Sequence, residues 1–252
     1  MRRLAGVHEL LDGPLDDEGA LRGNLRDLVR INRWLRGTSA SQRALDRLLA
    51  RRTVPHTLLD VGTGAADIPL ALLAHASRSG RRLRVTGVDS RPEVLEAARA
   101  MDPGLDRTPD LELVVSDGRS LPWPDRSFDV VHASLVIHHL EPSEALDFLR
   151  EAARVARLGV VINDLVRTRR HWIGARILLP LMTRNRFTRH DGPLSVRRAY
   201  TRMELRALLA GAALRPVAEV GAIAGHRVAI AAVPMRELEQ RRAPVGDEGG
   251  TA

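Results

Sequence analysis

A glycine turn between an apolar run and a helical stretch constrains this chain more than any other feature. Residues 57–67 read TLLDVGTGAAD, in which the aliphatic run ends at Val61 and Gly62 and Gly64 supply the turn. Residues 65–74 then have the composition of a helix. A strand, a tight turn and a helix in this order aim backbone N–H groups and a helix N-terminus at a ligand.

The same alternation continues along the chain. Further apolar runs at residues 83–89, 111–115, 128–133 and 159–164 are separated by helical stretches. Strands that alternate with helices imply right-handed crossovers and a parallel sheet, so we predict an α/β, doubly wound, Rossmann-like fold. Ligands of such sheets bind at the carboxyl ends of the strands.

The acidic residues decide between two kinds of nucleotide ligand. A dinucleotide turn has a third glycine where this chain has Asp67, and Asp60 lies just ahead of the first glycine. Carboxylates here would face the phosphates of a dinucleotide, whereas they suit a cationic ligand without phosphate. Asp89, Asp117 and Asp164 each follow the end of a predicted strand.

These residues carry a resemblance to a known family. The stretch of about 55–233 resembles a class I S-adenosylmethionine-dependent methyltransferase. Residues 121–131, LPWPDRSFDVV, are similar to a run in the quinone and small-molecule branch of that family. The resemblance implies a seven-stranded, mostly parallel sheet with an antiparallel last strand and S-adenosyl-L-methionine as cofactor. It implies a cofactor site formed by Asp60, Gly62, Thr63, Gly64, Asp67, Asp89, Ser90, Asp117, Gly118 and Ser134.

The regions outside this pattern are predicted as additions to the domain. Residues 1–53 are a helical extension that begins with a mobile entry over 1–19, and Ser39 or Ser41 is a candidate cap of its second helix. Residues 54–235 form the methyltransferase domain, with a helical insertion over the active edge at 164–200. Residues 236–252, charged and then rich in proline and glycine, are predicted to be disordered.

Three histidines are candidates for proton transfer. Residues 134–140, SLVIHHL, resemble the segment after the fourth strand that lines the methyl-transfer site in the small-molecule branch. His138 and His139 within it could take a proton from an acceptor hydroxyl, with His139 slightly preferred, and His190 on the insertion is a third candidate. No spacing of ligand residues predicts a metal site.

Charge and composition restrict the partners. The net charge is +8, every basic residue is arginine, and cysteine is absent, which excludes a cysteine nucleophile. Without a dense basic run, a nucleic-acid partner is disfavoured. The insertion combines an apolar stripe with arginines, which suits an aromatic or lipidic acceptor and contact with a membrane surface. The chain lacks a predicted signal peptide or membrane span, so we predict a cytoplasmic protein.

The leading hypothesis is O-methylation of a hydroxylated aromatic, polyketide- or quinone-like small molecule in secondary metabolism. The insertion supports this hypothesis, because its residues 163–164 and 189–198 look like those of methyltransferases encoded beside bacterial polyketide synthases. Two alternatives stay open at this point. One is an RNA or protein methyltransferase, and the other is a protein that binds the cofactor without catalysing a reaction.

Overall fold

The fold is organised by one seven-stranded sheet. The computed structural model describes residues 1–49 and 55–236. The strands lie in the order β3-β2-β1-β4-β5-β7-β6. In chain order they are β1 His56–Val61, β2 Leu83–Asp89, β3 Leu111–Val115, β4 Phe128–Ser134, β5 Ala156–Leu165, β6 Leu214–Gly221 and β7 Arg227–Pro234.

The strand directions confirm the predicted fold class. Strands β1 to β5 pair in parallel, while β7 is antiparallel to both β5 and β6. From β1 the chain adds β2 and β3 on one side and then crosses to β4 on the other side, so the strand order reverses between β1 and β4. A parallel sheet of this kind binds its ligands at that reversal.

Eight α-helices accompany the sheet within the described residues. They are α1 Glu18–Trp34, α2 Gly37–Leu48, α3 Asp67–Arg78, α4 Pro92–Met101, α5 Pro142–Val155, α6 Arg169–Met182, α7 Arg186–Arg198 and α8 Arg202–Gly211. Helices α6 and α7 form the helical insertion that was predicted after the fifth strand. Among the described residues, no helix is long and apolar enough to cross a membrane.

The core lies on both faces of the sheet. On one face, Phe148 and Leu149 of α5 and Leu205 of α8 pack with Val131 and Ile162 of the sheet. On the other face, the second helix packs with α3 against the opposite sides of the same strands, through residues that include Ala40, Ala44, Leu45, Ile68 and Leu72. Of the two N-terminal helices, α2 therefore forms part of one layer of the domain, and α1 covers the edge of the sheet.

The entry segment differs from its prediction. Residues 1–19 are predicted to be mobile, yet Leu4 donates a backbone hydrogen bond to Arg197 at 3.0 Å, Leu15 is buried and α1 already begins at Glu18. A short 3-10 turn, Leu10–Asp12, lies against α7, where the Asp191 carboxylate accepts from the N–H groups of Leu10 and Leu11. The segment is thus fastened across the active edge. Of the tail 236–252 that is predicted to be disordered, Arg236 is described and donates to the Ala153 carbonyl at 2.7 Å. Residues 237–252 and the predicted boundary at 53/54 lie outside the described residues.

Candidate active site

The glycine turn after β1 has a backbone that other residues adopt only under strain. Gly62 and Gly64 have φ angles of +69° and +55°. A Cβ atom at Gly62 would lie 2.4 Å from Cγ2 of Val136, so the loop after β4 leaves no room for a side chain. The N–H of Thr63 donates to the carbonyl of Val88 at 2.9 Å, which fixes the turn to the end of β2. The turn therefore requires glycine for both conformation and space.

Asp60, at the end of β1, holds this turn through its buried carboxylate. Its side chain is buried, and Oδ2 accepts a hydrogen bond of 2.8 Å from the Thr63 hydroxyl. Oδ1 is hydrogen-bonded to Nδ1 of His132, whose Nε2 lies 2.7 Å from the Ser41 hydroxyl on α2. Both carboxylate oxygens thus have partners within the protein, and Asp60 is a support of the turn.

Asp89 lies beside the turn at the end of β2. Its Oδ2 accepts from the N–H of Gly64 at 3.2 Å, and its Oδ1 accepts from the N–H of Arg91 at 3.1 Å. Burial raises the pKa of this carboxyl, although the two backbone hydrogen bonds oppose the rise. Each oxygen keeps one lone pair for a ligand hydroxyl. Ser90, the next residue, is exposed.

The predicted adenine segment follows β3. Asp117 is exposed, and its carboxylate accepts from the backbone N–H of Arg119 at 2.9 Å and from the guanidinium of the same residue. These hydrogen bonds lower the pKa of Asp117. A Cβ at Gly118 would lie 2.4 Å from Cγ1 of Val61, so this segment closely approaches the end of β1.

A buried arginine connects the cofactor residues to the N-terminal helices. Arg227, on β7, is 1% exposed, and burial lowers its pKa to about 10. Its guanidinium donates to Ser134 at 2.6 Å, to Asn163 at 3.2 Å and to Asn32 on α1. Asn32 in turn donates to Asp67 at 3.1 Å. Two of the predicted cofactor residues, Ser134 and Asp67, are therefore positioned by one network, which the sequence patterns did not indicate.

A cavity of about 410 Å³ is lined by Leu135, the residue after Ser134, and by Arg227. Its walls come from α1, α6, α7 and the turn between β6 and β7, and they are mainly aliphatic, as in Leu28, Ile31, Leu178 and Val196. The loop that follows β4 contributes Leu135, His138 and His139. The cavity thus has the apolar lining and the few polar groups that are typical of sites for organic ligands.

The polar groups of the cavity form one cluster around Glu9. Nε2 of His138 lies 3.9 Å from Oε1 of Glu9, and Nε2 of His139 lies 3.8 Å from Oε2. The opposite nitrogen of each ring is hydrogen-bonded to a carboxylate, that of Asp164 at 2.7 Å for His138 and that of Asp12 at 3.0 Å for His139. The two imidazoles are therefore oriented with Nε2 toward Glu9.

Burial sets the electrostatics of this cluster. It raises the pKa of Glu9 to about 7, against the lowering effects of His139 and of the Ser195 hydroxyl, which donates to Oε1 at 2.9 Å. Burial acts in the same direction on Asp12, but hydrogen bonds from His139 and Arg198 outweigh it and lower the pKa of that carboxyl.

The structure brings together two of the three predicted histidines. His138 and His139 share the cluster, with ring centroids 4.3 Å apart. His190 has a half-exposed side chain, pairs with Asp191 at 2.8 Å and is outside the cavity lining. Glu9 and Asp12 were missed because they lie in the segment that was predicted to be mobile.

The part of the chain that carries this geometry matches a known protein family. Residues 59–162 match the family model described as a methyltransferase domain. The chain carries a class I S-adenosylmethionine-dependent methyltransferase domain. That match runs from the glycine turn to the middle of β5 and so includes the turn, Asp89, Asp117 and the two adjacent histidines. The cofactor of the methyltransferase domain is S-adenosylmethionine.

Similar proteins extend this finding. The chain is 33% identical over 103 residues to a demethylmenaquinone methyltransferase of Thermotoga maritima, a match that covers 41% of this chain and 40% of the relative. A solved S-adenosylmethionine-dependent methyltransferase from Aquifex aeolicus has a TM-score of 0.59 at 22% identity, covering 84% of this chain and 97% of that one. An O-methyltransferase family 2 protein from Planctomyces limnophilus, solved with apigenin, has a TM-score of 0.61 at 20% identity, covering 87% and 62%.

The residues of the methyltransferase domain fit this cofactor. The turn residues 62–66 carry no basic side chain for a pyrophosphate, and Asp89 presents carboxylate oxygens beside them. Only Leu25 of α1 lies within 4 Å of a Cβ built at Gly64, which leaves that side of the turn accessible. The methyltransferase domain would therefore hold the ribose at Asp89 and the remainder of the cofactor along the turn.

Proposed function

We propose that this protein transfers a methyl group from S-adenosylmethionine to the hydroxyl oxygen of an aromatic, polyketide- or quinone-like small molecule. One observation carries the proposal. The aliphatic cavity and its two imidazoles meet on the loop directly after β4, and Val136 of that loop contacts the glycine turn. An acceptor in the cavity would thus lie next to a cofactor on the turn.

The similar proteins support this acceptor class. The demethylmenaquinone methyltransferase is named for a quinone substrate, and the Planctomyces enzyme was solved with the flavonoid apigenin. The chain spans only 40% of the length of the first of these, so the acceptor of this protein is our inference. Aliphatic walls favour such a molecule over RNA or a protein side chain. Secondary metabolism and a cytoplasmic location stay predictions.

Each part of the site has a separate task in this reaction. The bound cofactor supplies an electrophilic methyl group, so most of the acceleration comes from aiming the acceptor oxygen at it. The cavity walls orient the acceptor and exclude water. The cluster of Glu9, His138 and His139 handles the proton that the hydroxyl loses, because the Nε2 atoms face the cavity while Asp164 and Asp12 hold the other nitrogens.

Two variants test the halves of this proposal separately. Asp89→Ala is expected to abolish binding of S-adenosylhomocysteine in calorimetry, since it removes the proposed ribose acceptor. His139→Ala is expected to lower the methylation rate about 100-fold with unchanged affinity for that ligand, as for loss of a proton acceptor. His75→Ala is the matched control, because His75 pairs with Asp46 on the surface at 3.0 Å, remote from the cavity.

The opposite results would each contradict one part of the proposal. Undiminished binding by Asp89→Ala would refute the cofactor assignment, and an unchanged rate in His139→Ala would remove that residue from proton transfer. If the wild type binds S-adenosylhomocysteine tightly but methylates no member of a broad panel of phenols and quinols, a non-enzymatic role is favoured. Steeply salt-dependent RNA binding would favour a nucleic-acid substrate.

We further propose that α6 contacts a membrane surface from which a lipidic acceptor enters. Its outer side exposes Ile173, Ile177 and Leu181 by 45%, 58% and 80%, an unusual density of exposed apolar side chains. Arg169, Arg176 and Arg184 lie on or next to the same helix and suit anionic headgroups. The same helix also lines the cavity, through Leu179 and through Leu178, which is itself 55% exposed.

Vesicle co-sedimentation tests this contact. Binding to vesicles that contain phosphatidylglycerol is expected, with loss of most binding in Ile177→Ser and Leu181→Ser. Met203→Ser is the control, since Met203 on α8 is 78% exposed but lies outside α6. Equal sedimentation of all four proteins would refute the proposal.

A further inference from the structure

Three side chains at the base of the cavity have the arrangement of a metal site. Glu9, His138 and His139 each present one ligand atom, and these atoms all lie within 4.8 Å of one another. Three atoms at such spacing share a central point at most about 2.8 Å from each, so closure by several tenths of an ångström gives the ~2.0–2.2 Å of metal bonds to histidine and carboxylate.

The histidine tautomers are those that metal binding needs. Asp164 holds Nδ1 of His138 at 2.7 Å and Asp12 holds Nδ1 of His139 at 3.0 Å. A carboxylate can only accept from these nitrogens, so each Nδ1 carries a proton, and in the neutral ring that binds a metal each Nε2 presents a lone pair. The Nε2 atoms lie 3.9 and 3.8 Å from the Glu9 oxygens, which is beyond hydrogen-bond distance. A carboxylate behind each ligating imidazole is the usual support of a metal site.

The surrounding charges leave room for a divalent cation. Four carboxylates belong to the cluster and its supports, namely Glu9, Asp12, Asp164 and Asp191. Two guanidinium groups oppose them. Arg198 lies 3.8 Å from Glu9 and 2.8 Å from Asp12, and Arg227 acts on Asp164. The pKa of Glu9 is about 7, so the count applies to the state in which Glu9 is ionised and binds the cation. With neutral imidazoles, four negative charges against two positive charges then leave an excess of two, which one divalent ion neutralises.

The position in the cavity leaves other coordination sites open. Glu9, His138 and His139 all line the cavity, while Asp12 and Asp164 do not. An ion held by three protein ligands at a cavity wall keeps positions for water or for a ligand oxygen, as catalytic sites do and closed structural sites do not. Two imidazoles and one carboxylate suit zinc, iron(II), manganese(II) or cobalt(II) better than calcium or magnesium.

We propose that Glu9, His138 and His139 bind one divalent transition-metal ion, with open positions toward the cavity. The binding itself does not depend on the proposed methyl transfer, whereas its catalytic role rests on that function. In the metal-bound protein the two Nε2 atoms are ligands and do not also accept the proton. There the ion would bind the acceptor oxygen and lower the pKa of the hydroxyl, so that the proton leaves to cavity water and His139 acts on it only through the ion. The methyl carbon then forms its bond to oxygen as its bond to sulfur breaks, releasing S-adenosylhomocysteine.

Metal binding is testable without any acceptor. Metal-free protein titrated with Zn²⁺ in calorimetry is expected to bind one equivalent, and with Co²⁺ to give visible absorption bands of a nitrogen- and oxygen-ligated ion. Glu9→Gln and His139→Gln keep the side-chain volume and remove one ligand each, so affinity is expected to fall at least 100-fold in both. His75→Ala, which disrupts another imidazole–carboxylate pair, is expected to bind Zn²⁺ like the wild type.

Folding is checked in parallel, since His138 and Glu9 are buried. In the metal-free state, the variants are expected to match the wild type in melting temperature and in binding of S-adenosylhomocysteine. A melting temperature that rises with Zn²⁺ in the wild type, but not in the variants that lack a ligand, supports the site. Absence of stoichiometric binding by the wild type, or equal affinity in Glu9→Gln and His139→Gln, would overturn the proposal.

The two proposals fail in different ways. If Zn²⁺ binds as expected and no acceptor is methylated, the metal site stands and the proposed function fails. If methylation of a phenol proceeds at the same rate with dipicolinate present and no Zn²⁺ binds, the function stands and the metal site fails.

Discussion

The cofactor side and the acceptor side of the site are built in different ways. The cofactor side is a backbone structure, formed by the glycine turn and by residues that directly follow β2 and β3. The acceptor side is a side-chain structure, in which Glu9, His138, Asp191 and Arg227 come from four separate parts of the chain. The first is set by strand order, and the second by how the N-terminal segment and the insertion pack on each other.

This difference predicts how each side tolerates change. A backbone site fails when the main chain is strained or when its space is filled. A side-chain site loses single contacts and keeps its shape. Arg227 belongs to both sides, because its network reaches Ser134 and, through Asn32, Asp67.

The largest effect is expected for Arg227→Leu. It leaves Asn163 and Asn32 without their donor and removes the buried charge that opposes Asp164 and Asp67, so the free energy of unfolding should fall by ~3–5 kcal/mol. Urea denaturation measures this loss. Arg206→Leu, which removes an exposed partner of Glu219, should unfold at the wild-type urea concentration. Equal midpoints for the two variants would show that Arg227 does not join the two sides.

A smaller effect is expected for Gly62→Ala. The new Cβ would combine a φ of +69° with a 2.4 Å approach to Val136, at a cost of ~1–3 kcal/mol, and should weaken binding of S-adenosylhomocysteine. Gly80→Ala is the matched control, because φ is +67° there but no atom lies within 4 Å of the Cβ. It should lower stability through strain alone. Similar cofactor affinities in both variants would contradict the backbone nature of the cofactor side.

The smallest effect is expected for Leu178→Ala on the cavity wall. Loss of part of an apolar contact should raise KM for the acceptor about tenfold, equivalent to ~1.4 kcal/mol, and leave the affinity for S-adenosylhomocysteine unchanged. Steady-state kinetics and calorimetry separate the two quantities. A change in cofactor affinity larger than the change in KM would mean that the two sides are not independent.

The sequence predicted the architecture around the cofactor side well because its signals are local. The turn, the acids at strand ends and the antiparallel last strand all depend on neighbours in the chain or on strand order, and the sheet confirms the architecture. Individual residues were less predictable. Ser41 was a candidate helix cap, yet α2 begins at Gly37 and Ser41 lies within it, bonded to His132 and Asn163. Its role depends on how α2 sits against the sheet.

The acceptor side was beyond local patterns for the same reason. Residues 1–19 contain turn and charge signals and little apolar periodicity, so Glu9 and Asp12 were unremarkable in the sequence. The burial of Glu9 and the position of Asp12 follow from contacts with α7, about 180 positions away, such as that between Leu11 and Asp191. His138 and His139 became candidates because residues 134–140 resemble the segment that lines the methyl-transfer site in the small-molecule branch, but their carboxylate partners could not be identified by spacing.

The place of Arg227 in the chain gives the molecule an order of assembly. Among the strands of the described residues, β7 comes last along the chain, and it lies between β5 and β6 with Arg227 at its first position. The turn, β1 and α1 are synthesised earlier, and Asn32 is separated by almost 200 residues from Arg227, its hydrogen-bond donor. Contacts of such separation form slowly. A growing chain would therefore complete its cofactor turn early and acquire its acceptor site only when the C-terminal hairpin closes.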